Sequence, residues 1–144
     1  MKVSTKGRYA LRLMLDIALY EKEKPVRLKE VAKRQELPVK YMENIVSVFV
    51  KAGFLKSVRG PQGGYQLTKA PGEYTVGAIL RLTEGNMSPV DCLETEENPC
   101  QRSDQCVTLK IWKELDAAIK SVIDRYTLED LLDWQKEQGD EYYI

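Results

Sequence analysis

There is no histidine in these 144 residues, and cysteine occurs only three times, at Cys92, Cys100 and Cys106. The missing imidazole removes the side chain most often used as a general base at neutral pH. An enzyme is therefore not expected: a sulfur-transfer reaction with Cys92 or Cys100 as nucleophile would lack a base, and the chain has no phosphate-cradling loop. Three cysteines, all in the second half, are too few and too late for a disulfide framework. No apolar run approaches the roughly 20 residues that a membrane span needs. The apolar stretch from Ala10 to Tyr20 is interrupted by Arg12 and Asp16 and is followed by no small-residue cleavage site, so it does not read as a signal peptide. The expectation is a soluble, cytoplasmic chain with no membrane partner, whose thiols stay reduced and available as ligands.

Net charge is also lacking, but only in sum. Residues 1–70 hold ten Lys and five Arg against six acids, a net charge of +9, and residues 71–144 carry the balancing −9. A basic half neutralises phosphates and releases counterions, while an acidic half limits indiscriminate attachment to polyanions. The asymmetry points to a nucleic-acid partner. An apolar content of 43% with 31% charged residues is that of an ordinary folded protein.

What is present begins with helical periodicity. Ser4 or Thr5 can cap a first helix running to about Lys22, with Ala10, Leu13, Met14, Ile17 and Ala18 on one face and a stop at Glu23 to Pro25. A short extended piece at Val26 leads to a second helix over Leu28–Gln35, with Leu28, Val31 and Ala32 inward. Leu37 and Pro38 make a turn. Pro38 suits the first position of a third helix, which Gly53 ends. That helix separates Met42, Ile45, Val46 and Phe49 from an outward set of Lys40, Tyr41, Glu43, Asn44, Ser47 and Lys51. Two helices joined by a tight turn, the second with a polar outer face, form the helix-turn-helix pattern.

A hairpin follows. Phe54 to Val58 alternates as a strand, Gly60-Pro61-Gln62-Gly63-Gly64 turns, and Tyr65-Gln66-Leu67 returns. Arg59 enters the turn, and a basic side chain on a glycine-rich tip has the shape to enter a minor groove. The hairpin is thus expected to be a wing, and residues 1–70 a winged helix-turn-helix. Pro71-Gly72 marks the change of charge, and a short helix follows over Thr75–Glu84. Gly85 to Cys106 is then a long segment with little periodicity that holds the three cysteines, of the kind that is usually functional, so residues 71–106 are expected to be a short helix and a cysteine-containing sensor loop. Residues 107–144 are expected to supply a dimerisation helix over Val107–Tyr126, with Ile111, Trp112, Leu115, Ala118, Ile119, Val122, Ile123 and Tyr126 in one stripe. A final helix capped at Thr127 then reaches Gln138. The fold class is mainly α with a small β-hairpin wing. A homodimer would present two reading heads to a pseudo-palindromic site.

The cysteines read C-x7-C-x5-C. Three thiolates supply three of the four ligands of an iron–sulfur cluster, and the spacing lacks the C-x2-C pair typical of structural zinc. A zinc site with three sulfurs and a carboxylate, a thiol switch, or cysteines that bind nothing are the other readings.

The stretch Val3-Ser4-Thr5-Lys6-Gly7-Arg8-Tyr9-Ala10, the Tyr41-Met42-Glu43-Asn44 segment, the wing from Val58 to Tyr65 and the three-cysteine loop together resemble the Rrf-two superfamily of winged-helix transcription regulators. This is the IscR, NsrR and CymR group, and the likeness is greatest to the IscR type. It implies a dimeric repressor or activator of double-stranded operator DNA. Glu43 matches the recognition-helix acid that selects between site classes, consistent with a carboxylate accepting from cytosine N4. Arg59 matches the wing arginine in the minor groove, beside Gly60. Lys40, Tyr41 and Asn44 would supply further base or phosphate contacts, and Pro38 and Lys40 stand where the IscR type has small hydroxyl residues. The likeness further implies an iron–sulfur cluster, [2Fe–2S] in preference to [4Fe–4S], on Cys92, Cys100 and Cys106. Its fourth ligand is a histidine three residues after the last cysteine in the IscR type, here Leu109. In the NsrR type it is an acid on the partner's first helix, here Arg8. Asp91, Glu94, Glu96, Glu97, Asp104, an oxygen of the partner chain, or an exogenous thiol or water are the remaining candidates. The alternative is a cluster-free, thiol- or protein-partner-responsive regulator of cysteine and sulfur metabolism of the CymR type.

Overall fold

The computed structural model describes residues 2–22 and 24–143, with side chains through residue 139. Ser4 caps α1 (Thr5–Tyr20), its hydroxyl accepting from the Gly7 N–H. The helix ends two residues before the expected Lys22, and Glu23 of the expected stop lies outside the described residues. α2 (Leu28–Gln35) and α3 (Val39–Lys51) follow. Between them Glu36 adopts the left-handed conformation at φ 55°, and the Leu37 N–H returns to the Ala32 carbonyl. Pro38 sits one step outside α3, not at its first position. Its ψ of 131° is extended and its carbonyl accepts the first helical hydrogen bond, as a residue flanking a helix does.

Gly53, at φ 79°, turns the chain out of α3 into β1 (Leu55–Val58), which pairs antiparallel with β2 (Gly64–Leu67) from Leu55 opposite Leu67 to Val58 opposite Gly64. The extended piece at Val26 exchanges two backbone hydrogen bonds with Tyr65, of 2.9 and 2.8 Å. The hairpin is therefore stitched to the α1–α2 connection. Gly64 is required there, because a β-carbon would overlap the Val26 carbonyl.

After a 3-10 turn at Pro71–Glu73 come α4 (Val76–Glu84), a second such turn at Asp91–Leu93, α5 (Leu109–Ile123) and α6 (Leu128–Tyr143). α5 is shorter than the stripe predicted, because the chain turns at 124–127 to start α6. α1 lies at the centre, packed by α2, α3, α4, α6 and β2. The core joins Ala10, Leu13, Met14 and Ile17 of α1 to Met42, Ile45 and Phe49 of α3, to Ile79 of α4 and to Leu128 of α6. Leu128 is fully buried and its N–H donates to the Tyr74 carbonyl, while Val76 N–H donates to Tyr126 O. Residues on both sides of the charge boundary thus share one core. Among the described residues no helix is long and apolar enough to cross a membrane.

Candidate nucleic-acid interface and cysteine loop

α3 presents Lys40, Glu43, Asn44, Ser47 and Lys51 to solvent. Tyr41 differs from the outward position expected of it: it is half-buried, its ring set edge-on against Tyr9 at 5.5 Å. Arg12 lies over the other ring of this pair, 5.7 Å from the Tyr9 centroid.

The pose of α2, and through the turn that of α3, is fixed by a buried acid. Asp16 is 2% exposed, and its carboxylate accepts from Arg34 Nη2 at 2.6 Å, Arg34 Nε at 3.1 Å and Gln35 Nε2 at 2.9 Å. Arg12 closes the network by donating to the Gln35 side chain and carbonyl. The hydrogen bonds that Arg34 donates to Asp16 hold its pKa above the ordinary value, and Arg34 also stacks on Tyr20, 3.9 Å from the ring centroid. Asp16 and Arg34 went unnoticed in the sequence, where the acid merely interrupts an apolar run. Two arginines counted toward the basic half are therefore engaged inside the domain.

Arg59 and Gly60 sit exposed at the hairpin tip, and Gly60 adopts φ 108°, with its carbonyl accepting from Gly63 N–H at 2.9 Å. The outer face of α3 and the hairpin bound one cleft of about 280 Å³, lined on the helix side by Glu43, Ser47 and Lys51 and on the hairpin side by Ser57 and Tyr65. The two surfaces singled out as readers of DNA are thus adjacent.

The cysteine loop opens at the end of α4. Glu84 accepts from the Ser4 backbone N–H at 3.2 Å and from the Ser4 hydroxyl, and Gly7 leaves the room its carboxylate occupies. Asn86 Nδ2 donates to Glu94 O at 3.0 Å and Ser88 Oγ to Leu93 O at 3.1 Å, which clamps the turn carrying the half-buried Cys92. Cys100 is exposed, its N–H donating to Asn98 Oδ1, while Asn98 Nδ2 is buried with no acceptor among the described residues. Cys106 is exposed just before α5. Its sulfur lies 3.3 Å from the Thr108 hydroxyl, which, with the Leu109 N–H, lowers the thiol's pKa.

The structure does not bring the three cysteines together: among the described residues no three His, Cys, Asp or Glu side chains are placed to hold a metal ion. Leu109, at the position of the IscR-type histidine, is 6% exposed, and its hydrocarbon side chain offers no ligand atom. The loop still carries three thiols of the kind that ligate iron, and the unsatisfied Asn98 amide N–H belongs to the residue two before Cys100.

Residues 3–134 match the family model described as Rrf2, iron-dependent transcriptional regulator. The chain belongs to the Rrf2 family. Among Rrf2-family relatives, the regulator CymR of Bacillus subtilis is 41% identical over 142 residues, covering 99% of this chain and 97% of that protein. IscR of Aliivibrio salmonicida is 38% identical over 132 residues, covering 92% of this chain and 77% of its own length. Of solved structures, CymR (YrzC), the global cysteine regulator of B. subtilis, superposes with a TM-score of 0.77 at 41% identity over 93% of this chain and 98% of that one. T. potens IscR does so with a TM-score of 0.77 at 39% identity, over 96% and 90%. The winged-helix reading and the IscR and CymR grouping both stand. The protein is a transcription regulator, as its relatives are named, and not an enzyme.

Proposed function

We propose that this Rrf2-family regulator acts in the cytoplasm as a homodimeric repressor of operator DNA, and that an iron–sulfur cluster on Cys92, Cys100 and Cys106 modulates its binding. α3 enters the major groove with Lys40, Tyr41, Glu43 and Asn44, and Arg59 with Gly60 enters the neighbouring minor groove. The observation that carries the DNA reading is the shared cleft: the polar face of α3 and the wing border one opening, as they must if one phosphate strand passes between two adjacent grooves. Dimerisation through α5 is supported by Ile111 and Val122, which remain 60% and 48% exposed on the single chain.

The cysteine reading rests on three thiolates in one loop and on the unsatisfied Asn98 amide beside Cys100. When bound, a cluster supplies a redox-active, exchangeable iron centre. This chain's own residues relay its presence: Asn86 and Ser88 hold the Cys92 turn, and Glu84, one residue before the loop, holds the N-terminus of α1 through Ser4. A ligand shifts DNA affinity only by favouring one arrangement of these contacts over another. A cluster-free, thiol-responsive reading is favoured by one observation, the exposed Cys106 with its lowered pKa.

Operator binding at fixed salt tests the first part: Glu43→Ala and Arg59→Ala are each expected to weaken operator binding by about tenfold or more, near 1–3 kcal/mol. Unchanged binding would remove α3 and the wing as readers. Anaerobic purification with iron, sulfide and absorbance measurement tests the second, and a colourless, iron-free protein would sink the cluster. If the triple Cys→Ser protein then loses thiol-dependent regulation, the cluster-free reading takes its place.

A further inference from the structure

Arg59 reaches DNA only as well as the hairpin tip is held. Two strands of four residues are marginal by themselves, and the tip carries Gly60, Gly63 and Gly64. Among the described residues, no hydrogen bond or ion pair fixes the Arg59 side chain. One side-chain hydrogen bond among the described residues nevertheless ties the tip itself to the start of α2. The Arg27 guanidinium, at the residue flanking the start of α2, donates through Nη2 to the Pro61 carbonyl, two residues beyond Arg59.

This strap lies beside the Val26–Tyr65 bridge and the close passage of Gly64 over Val26. Between the tip and α2 lies a cavity of about 330 Å³, bordered by Tyr20, Arg27, Arg34 and Gln62. The Asp16 carboxylate already engages Arg34. No ion pair to Arg27 occurs among the described residues, which leaves the Pro61 carbonyl as its partner.

We propose that Arg27 is a positioning residue for the wing: it fixes the Gly60–Pro61 turn, and so places Arg59 at a set distance from the reading face of α3. This rests on the DNA reading above. An arginine held in place before binding loses less freedom on entering a groove, and a fixed spacing between helix and wing favours sites whose narrow minor groove falls at that spacing. Arg27 therefore adds to the preference for operator over random DNA without itself touching phosphate.

The alternative role for an exposed arginine here is a plain phosphate contact, and the two separate cleanly. A lost phosphate contact weakens operator and random duplex alike and lowers the salt slope by about one. A lost strap lowers operator affinity several-fold, spares random duplex, leaves the slope unchanged and removes hydroxyl-radical protection in the minor groove beneath the wing. Its effect also disappears when Arg59 is already gone. The experiment measures full-length wild type, Arg27→Ala, Arg59→Ala and the double variant on operator and random duplex across salt, with melting temperatures as the folding control. Arg27→Gln is measured as well, because it keeps an N–H donor without charge, and partial recovery over Arg27→Ala is expected.

Additive effects of Arg27→Ala and Arg59→Ala, an equal loss on both duplexes, or wild-type behaviour of Arg27→Ala would each overturn the proposal. If Arg59→Ala itself has no effect on operator binding, the DNA reading fails, and that result is distinct from any of these.

Discussion

The hydroxyl of Tyr74 accepts from the Thr68 and Lys69 N–H groups at 2.9 and 3.1 Å and donates to the Phe54 carbonyl at 2.8 Å. The side chain is 1% exposed and its ring packs edge-on against Phe54. One phenol therefore satisfies the backbone on both sides of the hairpin's base. Tyr74→Phe keeps the ring and strands these groups without their partner, so a loss of about 1–3 kcal/mol is expected in urea unfolding. A midpoint equal to wild type would show that water replaces the hydroxyl. Nothing periodic announces Tyr74, which follows Pro71-Gly72 in what reads as a linker. Asp16 was hidden for a related reason: an acid at helical spacing among apolar residues acquires meaning only when Arg34 and Gln35 arrive from another helix.

At the scale of elements, the junction of α4 with α5 is held by Arg81 and Asp124, two parallel hydrogen bonds of 2.7 and 2.9 Å. Gly77 gives the room, since a β-carbon there would overlap the Asp124 carboxylate. The hydrogen bond from Arg81 lowers the Asp124 pKa from the ordinary 3.8. A carboxylate with a depressed folded value contributes stability above its unfolded value and loses that contribution as pH falls through the folded one. Asp124→Asn is therefore expected to melt below wild type at neutral pH, with the gap closing under acid, below about pH 4. The pair is partly exposed, so the gap is small. A gap that persists unchanged at acid pH would assign the effect to packing and not to charge.

At the scale of the molecule, the single chain leaves a stripe uncovered. Val107, just before α5, is 85% exposed, and Ile111, Trp112 and Val122 of α5 are exposed as well, Ile111 at 60%, while α6 has turned back to bury Leu128 against α1. A second copy covering α5 would carry two basic reading heads on one acidic body. Replacing Ile111 and Val122 together by Glu is expected to convert a dimer to a monomer in sedimentation equilibrium and to weaken operator binding by tenfold or more, about 1.4 kcal/mol, with helix content unchanged. An unaltered mass would move the interface elsewhere.

The local elements were legible along the chain because their signals are local: a Ser4 cap, a 3.6-residue period on α1 and α3, Gly53 as a stop, and a glycine-rich turn after Arg59. The partition of charge and the trio of cysteines were equally plain. Tertiary structure alone decided that Tyr41 leans on Tyr9, that the wing is strapped to α2 through Arg27, that α6 closes on α1, and that the three sulfurs stand apart. The first three of these pair residues far apart in the chain, and the last depends on the path of the loop between α4 and α5. Periodicity records which face of an element is buried, but not which distant element covers it, and packing settles that choice.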